Sequence, residues 1–195
     1  MASEYKQKLV VNTASTERFR FLIYKCPAIS FMPDYSADNP YRAEQDTLRQ
    51  IAIATRSVTL PGLSNPEARR DTMAGQATDF AYELSFNNLT LDFKVDDNYY
   101  LYNLFLIWML MKKFPEALGG LIDHTIYREA VFTNAVLISL DNHMQKAAEW
   151  TFEDLHPVAL SDITFDYGNT AEIYATVQFA YTYYKPTDTY EVEAV

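Results

Sequence analysis

The sequence predicts a mainly β domain, two packed antiparallel sheets forming a sandwich or barrel, with one flanking α-helix. Three observations predict it. From Ile173 to Tyr183 every odd position is apolar (Ile173, Ala175, Val177, Phe179, Tyr181, Tyr183), set against Glu172, Tyr174, Thr176, Gln178, Ala180 and Thr182. That is the period of a strand with one buried face. The 15 Tyr and 12 Phe suit pleated, half-buried surfaces. A single segment, 98–113, has a strong helical period instead.

The chain has 195 residues, the size of one domain, and is 49% hydrophobic, enough for a sizeable core. Only 5 Gly are present, which argues against phosphate loops, collagen-like repeats and flexible linkers. The formal net charge is −10. Nucleic-acid binders draw affinity from Lys and Arg on phosphates, so the balance disfavours one. It is compatible with a surface that DNA must pass without sticking, and equally with acidity that serves solubility alone. Cys26 is the sole cysteine and reads as a buried, inert thiol. Met1 to Lys8 is polar with no apolar core of a leader, and the run Tyr99–Met111 is too short to span a bilayer. A soluble intracellular protein is expected.

Residues 1–17 read as an N-terminal arm, 18–185 as a single β domain, and 186–195 as an acidic tail. Arg18 to Lys25 alternates as a strand. Residues 33–50 read as a long polar loop with a helical turn near Ala43 to Arg49, and Ala52 to Leu60 as a strand closed by a type II turn at Pro61-Gly62. Residues 64–78 are polar. Phe80, Tyr82, Leu84 and Phe86 then alternate, and the phase flips at Asn87-Asn88 to Leu89, Leu91, Phe93 and Val95. A two-residue hairpin or a bulge in one strand accounts for the flip. Asp96-Asp97-Asn98 suits a helix start. The helix at about 98–113 gathers Leu101, Leu104, Phe105, Trp108 and Met111 on one face, and Pro115 stops it. Residues 114–129 read as a loop, Ala130 to Leu140 as a strand, and Trp150 to Leu155 as a short strand broken by His156-Pro157. Ile163, Phe165 and Tyr167 suggest another strand. The last strand, at ~3.3 Å per residue, should be roughly 40 Å long.

No constellation for chemistry stands out. His124, His143 and His156 match no zinc spacing, and no phosphate loop, dinucleotide fingerprint or nucleophile elbow is present. Asp96-Asp97 suits helix capping and Glu153-Asp154 a solvated strand edge. Arg69-Arg70 and Lys112-Lys113 are too thin for a nucleic-acid patch. No catalytic residue, metal or cofactor is expected.

Several segments, in order, resemble the tail tube proteins of contractile-tailed bacteriophages. They are Val58-Thr59-Leu60-Pro61-Gly62-Leu63, the run Leu84 to Asp97, the helix with Tyr102 and Trp108, and Ala135-Val136-Leu137-Ile138 with Leu140-Asp141-Asn142. Phe152, the run His156 to Ile163 and the final Val177 to Tyr184 complete the set. The likeness covers about 17–185, with longer stretches at 33–50 and 114–129 than in typical members. It implies two packed sheets plus a helix, and hexameric rings whose inner sheets join into one continuous barrel. It also favours the bulge over the hairpin at Asn87-Asn88.

A tube implies a polar lumen. The candidate lumen-facing residues are Glu83, Ser85, Thr90, Asp92, Lys94, Glu172, Thr176, Gln178 and Thr182. The resemblance implies sister copies, a tail sheath protein and a baseplate tube initiator as partners, no membrane, DNA passing without specific binding, and residence in the virion after assembly in host cytoplasm. Reversing Asp92 and Glu83 to Lys is expected to slow DNA ejection and leave tubes intact. The alternatives are a tube initiator or another contractile-injection tube subunit, a monomeric β-barrel holding a small ligand, and an enzyme with a dispersed site.

Overall fold

The computed structural model describes residues 17–32, 40–64, 68–72, 75–79, 85–113, 131–167 and 172–187, with the backbone alone at 31, 40–43, 68–72, 75–79, 112 and 113. The expected 1–17 arm apart from Glu17, the alternation at 80–84, the loop 114–129 and most of the acidic tail lie outside the described residues.

The chain runs β1 (Phe19–Ile23), a 3-10 turn (Pro27–Phe31), α1 (Pro40–Ala54), β2 (Thr55–Thr59), β3 (Leu63–Ser64), β4 (Ala68–Thr72), β5 (Gly75–Asp79), β6 (Ser85–Phe86) and β7 (Leu89–Lys94). It continues through α2 (Tyr100–Lys113), β8 (Thr133–Leu140), β9 (Lys146–Leu160), β10 (Tyr174–Ala180) and β11 (Tyr183–Pro186). Seven strands form one antiparallel hydrogen-bonded sheet in the order β1-β8-β9-β10-β7-β2, with β11 also on β9. Two small pairs, β3-β6 and β4-β5, stand apart from it.

The sheet folds on itself at β9. The first half of β9 pairs with β8 (Leu137↔Trp150, Ala135↔Phe152) and with β11 (Tyr184↔Phe152). Its second half pairs with β10 (Ala180↔His156, Val177↔Leu160). The bend falls at Asp154, whose φ of 57° lies in the left-handed region that Asp tolerates better than most residues. Asn134 Oδ1 accepts from the Asp154 backbone N–H at 3.2 Å, and Thr182 donates to Asp154 Oδ2 at 2.8 Å. One strand therefore serves two layers, β1-β8-β9-β11 and β9-β10-β7-β2, as bulged corner strands do in β proteins.

This bend corrects two expectations. His156-Pro157 does not end a short strand; β9 is 15 residues long and passes through it. Pro157 sits opposite Phe179, next to a register shift between Gln178 and Phe179, where a missing N–H is tolerated. The last strand is not one rod either. It breaks at Tyr181-Thr182, opposite the Asp154 kink, and splits into β10 and β11. The odd-position pattern still holds where it matters, with Ala175, Val177 and Phe179 buried.

Among the described residues there are two α-helical elements, α1 and α2, where one was expected. The stretch 33–50 contains most of α1, and the expected strand from Ala52 shrinks to Thr55–Thr59. Pro40 opens α1 in the position where its missing N–H costs nothing. Thr47 and Ile51 turn inward while Arg49, Gln50 and Ile53 are exposed, a narrow apolar stripe that mimics polar loop in sequence. Thr55 Oγ1 donates to the Ile51 carbonyl at 2.7 Å as the helix hands over to β2. Residues 64–78, read as polar, take in most of the antiparallel β4-β5 pair, Ala68↔Asp79 to Thr72↔Gly75. Gly62 does not adopt the positive φ of a type II turn.

At Asn87-Asn88 the chain does neither of the things considered. Phe86 pairs with Leu63 in the small β3-β6 sheet, while Leu89 begins β7 in the large one, so the flip marks a passage between sheets. Asp96 and Asp97 lie in a turn ahead of α2, closed by Tyr99 N–H to the Asp96 carbonyl at 3.0 Å. No acidic residue enters the first helical turn. Residues 161–166 form no strand, and Phe165 and Tyr167 point outward, 73% and 112% exposed.

The core lies between the bent sheet and α2. Leu101, Leu104, Phe105, Trp108 and Met111 are all buried, as the helical period predicts. Phe105 meets Phe93 and Phe179 edge-on at 5.2 and 5.8 Å between ring centres. Trp108 Nε1 donates to the Val131 carbonyl at 2.7 Å, so the largest buried ring leaves no polar atom unpaired. Thr47 and Tyr100 hydroxyls meet at 2.8 Å and tie α1 to α2. Leu104→Ala is expected to cost about 2–5 kcal/mol in urea unfolding, whereas Leu106→Ala, on the exposed side of the same helix, changes stability by no more than about 0.5 kcal/mol.

Candidate functional site: the polar face of a four-stranded layer

The layer β9-β10-β7-β2 has one dry face and one wet one. On β7, Leu89, Leu91 and Phe93 point into the core, which leaves Thr90, Asp92 and Lys94 on the other side. β10 repeats the pattern: Ala175, Val177 and Phe179 go in, and Tyr174, Thr176 and Gln178 go out. The register sets Lys94 against Tyr174, Asp92 against Thr176 and Thr90 against Gln178. β2 adds Ser57 against Asp92 and Thr59 against Thr90. Six of the nine candidate lumen residues, Thr90, Asp92, Lys94, Glu172, Thr176 and Gln178, therefore share this face or its margin.

The other three do not join them. Ser85 is exposed on β6, in the small sheet. Thr182 sits at the bend with Asp154. Glu83 lies outside the described residues. The sequence reading passed over Arg56, Ser57 and Tyr174. The alternation Ser57, Val58, Thr59 carried the signal for Ser57, and a register shift between Thr55 and Ser57 interrupts it.

Asp92 is the hub of the face. Ser57 Oγ donates to its Oδ2 and Thr176 Oγ1 to its Oδ1, both at 2.6 Å. One carboxylate on the central strand thus clips both neighbours, β2 and β10. Hydrogen bonds to a charged acceptor are the stronger kind. Asp92→Lys would break both clips as well as reverse a charge, so it does not isolate the electrostatics of the face.

At one end of the face, Lys94 donates to Glu172 Oε1, and Tyr174 Oη donates to Glu172 Oε2 at 2.7 Å. The Arg56 guanidinium lies 4.5 Å over the Tyr174 ring. Arg56 and Lys94 balance Asp92 and Glu172, so the described part of the face is charge-neutral. Lys94 and then Tyr174 hold the Glu172 carboxyl below its ordinary value of 4.5 through their hydrogen bonds. The same bond to Glu172 holds the Lys94 ammonium above 10.5.

The opposite end is closed by tyrosines. Tyr181 Oη donates to the Asn87 carbonyl and Tyr184 Oη to the Pro61 carbonyl, each at 2.8 Å. Phe86 meets both rings edge-on, and Tyr184 stacks on Phe152 at 5.3 Å. Burial pushes the Tyr181 phenol up to about 12. These bonds dock the β3-β6 pair onto the large sheet.

His124 lies outside the described residues, whereas His143 and His156 have structural partners. His156 packs against Phe132 at 4.5 Å, with Nδ1 3.1 Å from the Asp154 carbonyl oxygen. His143 lies in the Asp141–Gln145 turn, where Asp141 Oδ1 accepts two backbone N–H groups. Burial pushes the Cys26 thiol up to about 12. Among the described residues no group of three His, Cys, Asp or Glu is placed to hold a metal.

The fold and its match across residues 14–187 to the model for the phage tail tube protein family place the chain plainly: it belongs to that family. Solved structures share the fold at low identity. A chain of the anti-feeding prophage baseplate has a TM-score of 0.56 at 14% identity, covering 90% of this chain and 95% of that one. A chain of the sheath-tube complex of the extracellular contractile injection system PVC, in its extended state, scores 0.57 at 11% identity, with 95% and 98% covered. A chain of the anti-feeding prophage cap scores 0.57 at 10% identity, with the same coverage. No curated protein matches the chain.

The Lys94–Glu172 pair generates a pH test. A depressed carboxyl gives its share of stability above about pH 4.5 and loses it as pH falls through the lowered value. A raised ammonium gives its share below about pH 10.5 and loses it as pH rises through the elevated value. The pair thus acts across the neutral range, weakly, since both side chains are over half exposed. Lys94→Gln is expected to flatten part of the acid-side fall in Tm, and salt at about 1 M to do the same in the wild type. Identical Tm–pH curves for the two proteins would contradict the coupling.

Proposed function

We propose that the chain is the main subunit of a phage tail tube, whose copies close into hexameric rings that stack inside a contractile sheath and let DNA through. The observation that carries the reading is the four-stranded layer itself. Its outer face is polar and charge-neutral, and among the described residues no strand pairs with the side of β2 away from β7 or with the side of Val158–Leu160 in β9 away from β10. Open strand edges invite pairing with another chain. Joining β2 of one copy to the second half of β9 in the next removes both edges at once, and a head-to-tail contact of this kind closes a ring when the rotation fits. The polar face then lines the hole.

DNA presents about one charge per ~1.7 Å of axis. A basic wall holds it with steep salt dependence; a neutral wall gives it no purchase. The relatives in a sheath-tube complex and in a baseplate support the sheath and a tube initiator as partners. On this reading the protein is structural rather than enzymatic, and resides in the virion after assembly in host cytoplasm.

Electron microscopy of the purified full chain tests the assembly: rings with a central hole are expected, and compact particles without one at high concentration sink it. Gln178 is exposed on the polar face and takes no part in the Asp92 clips. Gln178→Lys is therefore expected to leave rings intact while slowing DNA ejection at low salt, with recovery as salt rises. Ejection kinetics that do not respond to the added charge would place this face away from DNA.

A further inference from the structure

We propose that the strand seam between copies is backed by a second seam of helices. In it, α1 of one copy packs through Ile53 into the apolar outer stripe of α2 on the next, so that α1 and α2 alternate around the ring. The inference rests on the ring reading and names the side chains that close the ring behind the strands.

α2 has no charged side chain from Tyr100 to Met111, and a helix that is apolar all round is ordinarily covered all round. Yet Leu106 and Leu110 remain 39% and 44% exposed. Each residue turns a helix by about 100°, so Tyr100 and Tyr102 serve opposite flanks. Tyr100 meets Thr47 of the copy's own α1. Tyr102 donates to the Ser161 carbonyl at 3.2 Å, one residue past the end of β9. Farther along, Trp108 holds Val131, and the next residue, Phe132, packs on His156. α2 therefore runs beside Val158–Leu160, the stretch of β9 whose far side pairs with no strand among the described residues. Leu106, four residues on from Tyr102, lies on that flank.

α1 stands at the other border. It packs on β1 and β7 and passes directly into β2, where Thr55 Oγ1 donates back to the Ile51 carbonyl. Ile53 comes two residues before that strand and is 75% exposed. Its neighbours on the same side of the helix are Asp46, Arg49 and Gln50, all exposed. A single apolar side chain on a polar face is ordinary in itself. Ile53 is set apart by its place, next to a strand border open to pairing.

Both helices lie on the dry side of the layer, α2 against Phe93 and Phe179 and α1 tied to it at Thr47. Pairing β2 of one copy with β9 of the next thus sets α1 of the first beside the open flank of α2 in the second. Ile53 enters the stripe of Leu106 and Leu110 there. The occupant is a second copy because the stripe continues the open border of β9, and only another copy brings a β2 with Ile53 fixed beside it. The two surfaces are unlike, a knob at one border and a stripe at the other, as a head-to-tail contact requires.

The chain's one native thiol, Cys26, is fully buried, so cysteines placed on the helices report the contact cleanly. In purified rings of the full chain, Ile53→Cys with Leu106→Cys is expected to give a ladder of linked copies with a short thiol-to-thiol linker, and each single variant none. A double variant that stays unlinked in intact rings overturns the seam and leaves the α2 stripe to a different partner, such as the sheath. Ile53→Lys and Leu106→Glu, each folded by circular dichroism, are expected to raise the concentration needed for rings by roughly tenfold or more. Combined, they are expected to recover most of that loss, the mark of two side chains in contact. Leu106 lies outside the core, so its change separates ring from fold. Thresholds that ignore both changes, or a combination no better than the worse single variant, overturn the seam and leave the ring reading standing. A wild-type chain that forms no rings overturns both.

Discussion

Everything in this domain depends on the bend in β9. Because Asp154 accepts a left-handed backbone, one strand carries hydrogen-bonding partners on two layers, and β10 and β11 follow it around the corner. Without the kink the ribbon would run flat, and Phe152 and Phe179 would not both reach the interior that α2 fills. The kink is held by small, specific bonds: Asn134 to the Asp154 amide and Thr182 to its carboxylate. The hydrophobic burial that stabilises the domain is large and diffuse, but its geometry is set at this single point.

The bend also separates two tasks. The layer with β1, β8 and β11 packs beside the helices and carries charged pairs such as Lys185–Glu153 on its exposed margin. The layer with β2, β7 and β10 keeps a face in which Lys94 pairs with Glu172, and Asp92, held by two hydroxyls, fixes its register from the centre. At one end of that face Lys94, Glu172 and Tyr174 satisfy one another through hydrogen bonds.

Much of this was legible in the chain because alternation is a direct image of burial. Leu89, Leu91, Phe93, Val177 and Phe179 gave themselves away, and so did the α2 face, since both periods were long and uninterrupted. The candidate face followed as their complement, and six of its nine residues were found together. What failed was whatever local pattern could not encode. α1 hides in a polar stretch because only Thr47, Leu48 and Ile51 carry its inward stripe. The alternation of Ile163, Phe165 and Tyr167 looks like a strand, yet no partner strand pairs with it in the described structure. Neither the corner at Asp154 nor the passage between sheets at Asn87-Asn88 alters the hydropathy rhythm enough to be read. Long-range pairing decides both.

The bond from Trp108 to the Val131 carbonyl has a further meaning for how such a chain can vary. It pins the return point of the backbone, at Val131, to α2, so the two points that bound the connection to β8 are fixed relative to each other. Doubling the length of a connection between fixed points costs only about 0.6 kcal/mol in chain entropy. A change of length in this connection therefore carries a small entropic cost relative to a change inside the sheet.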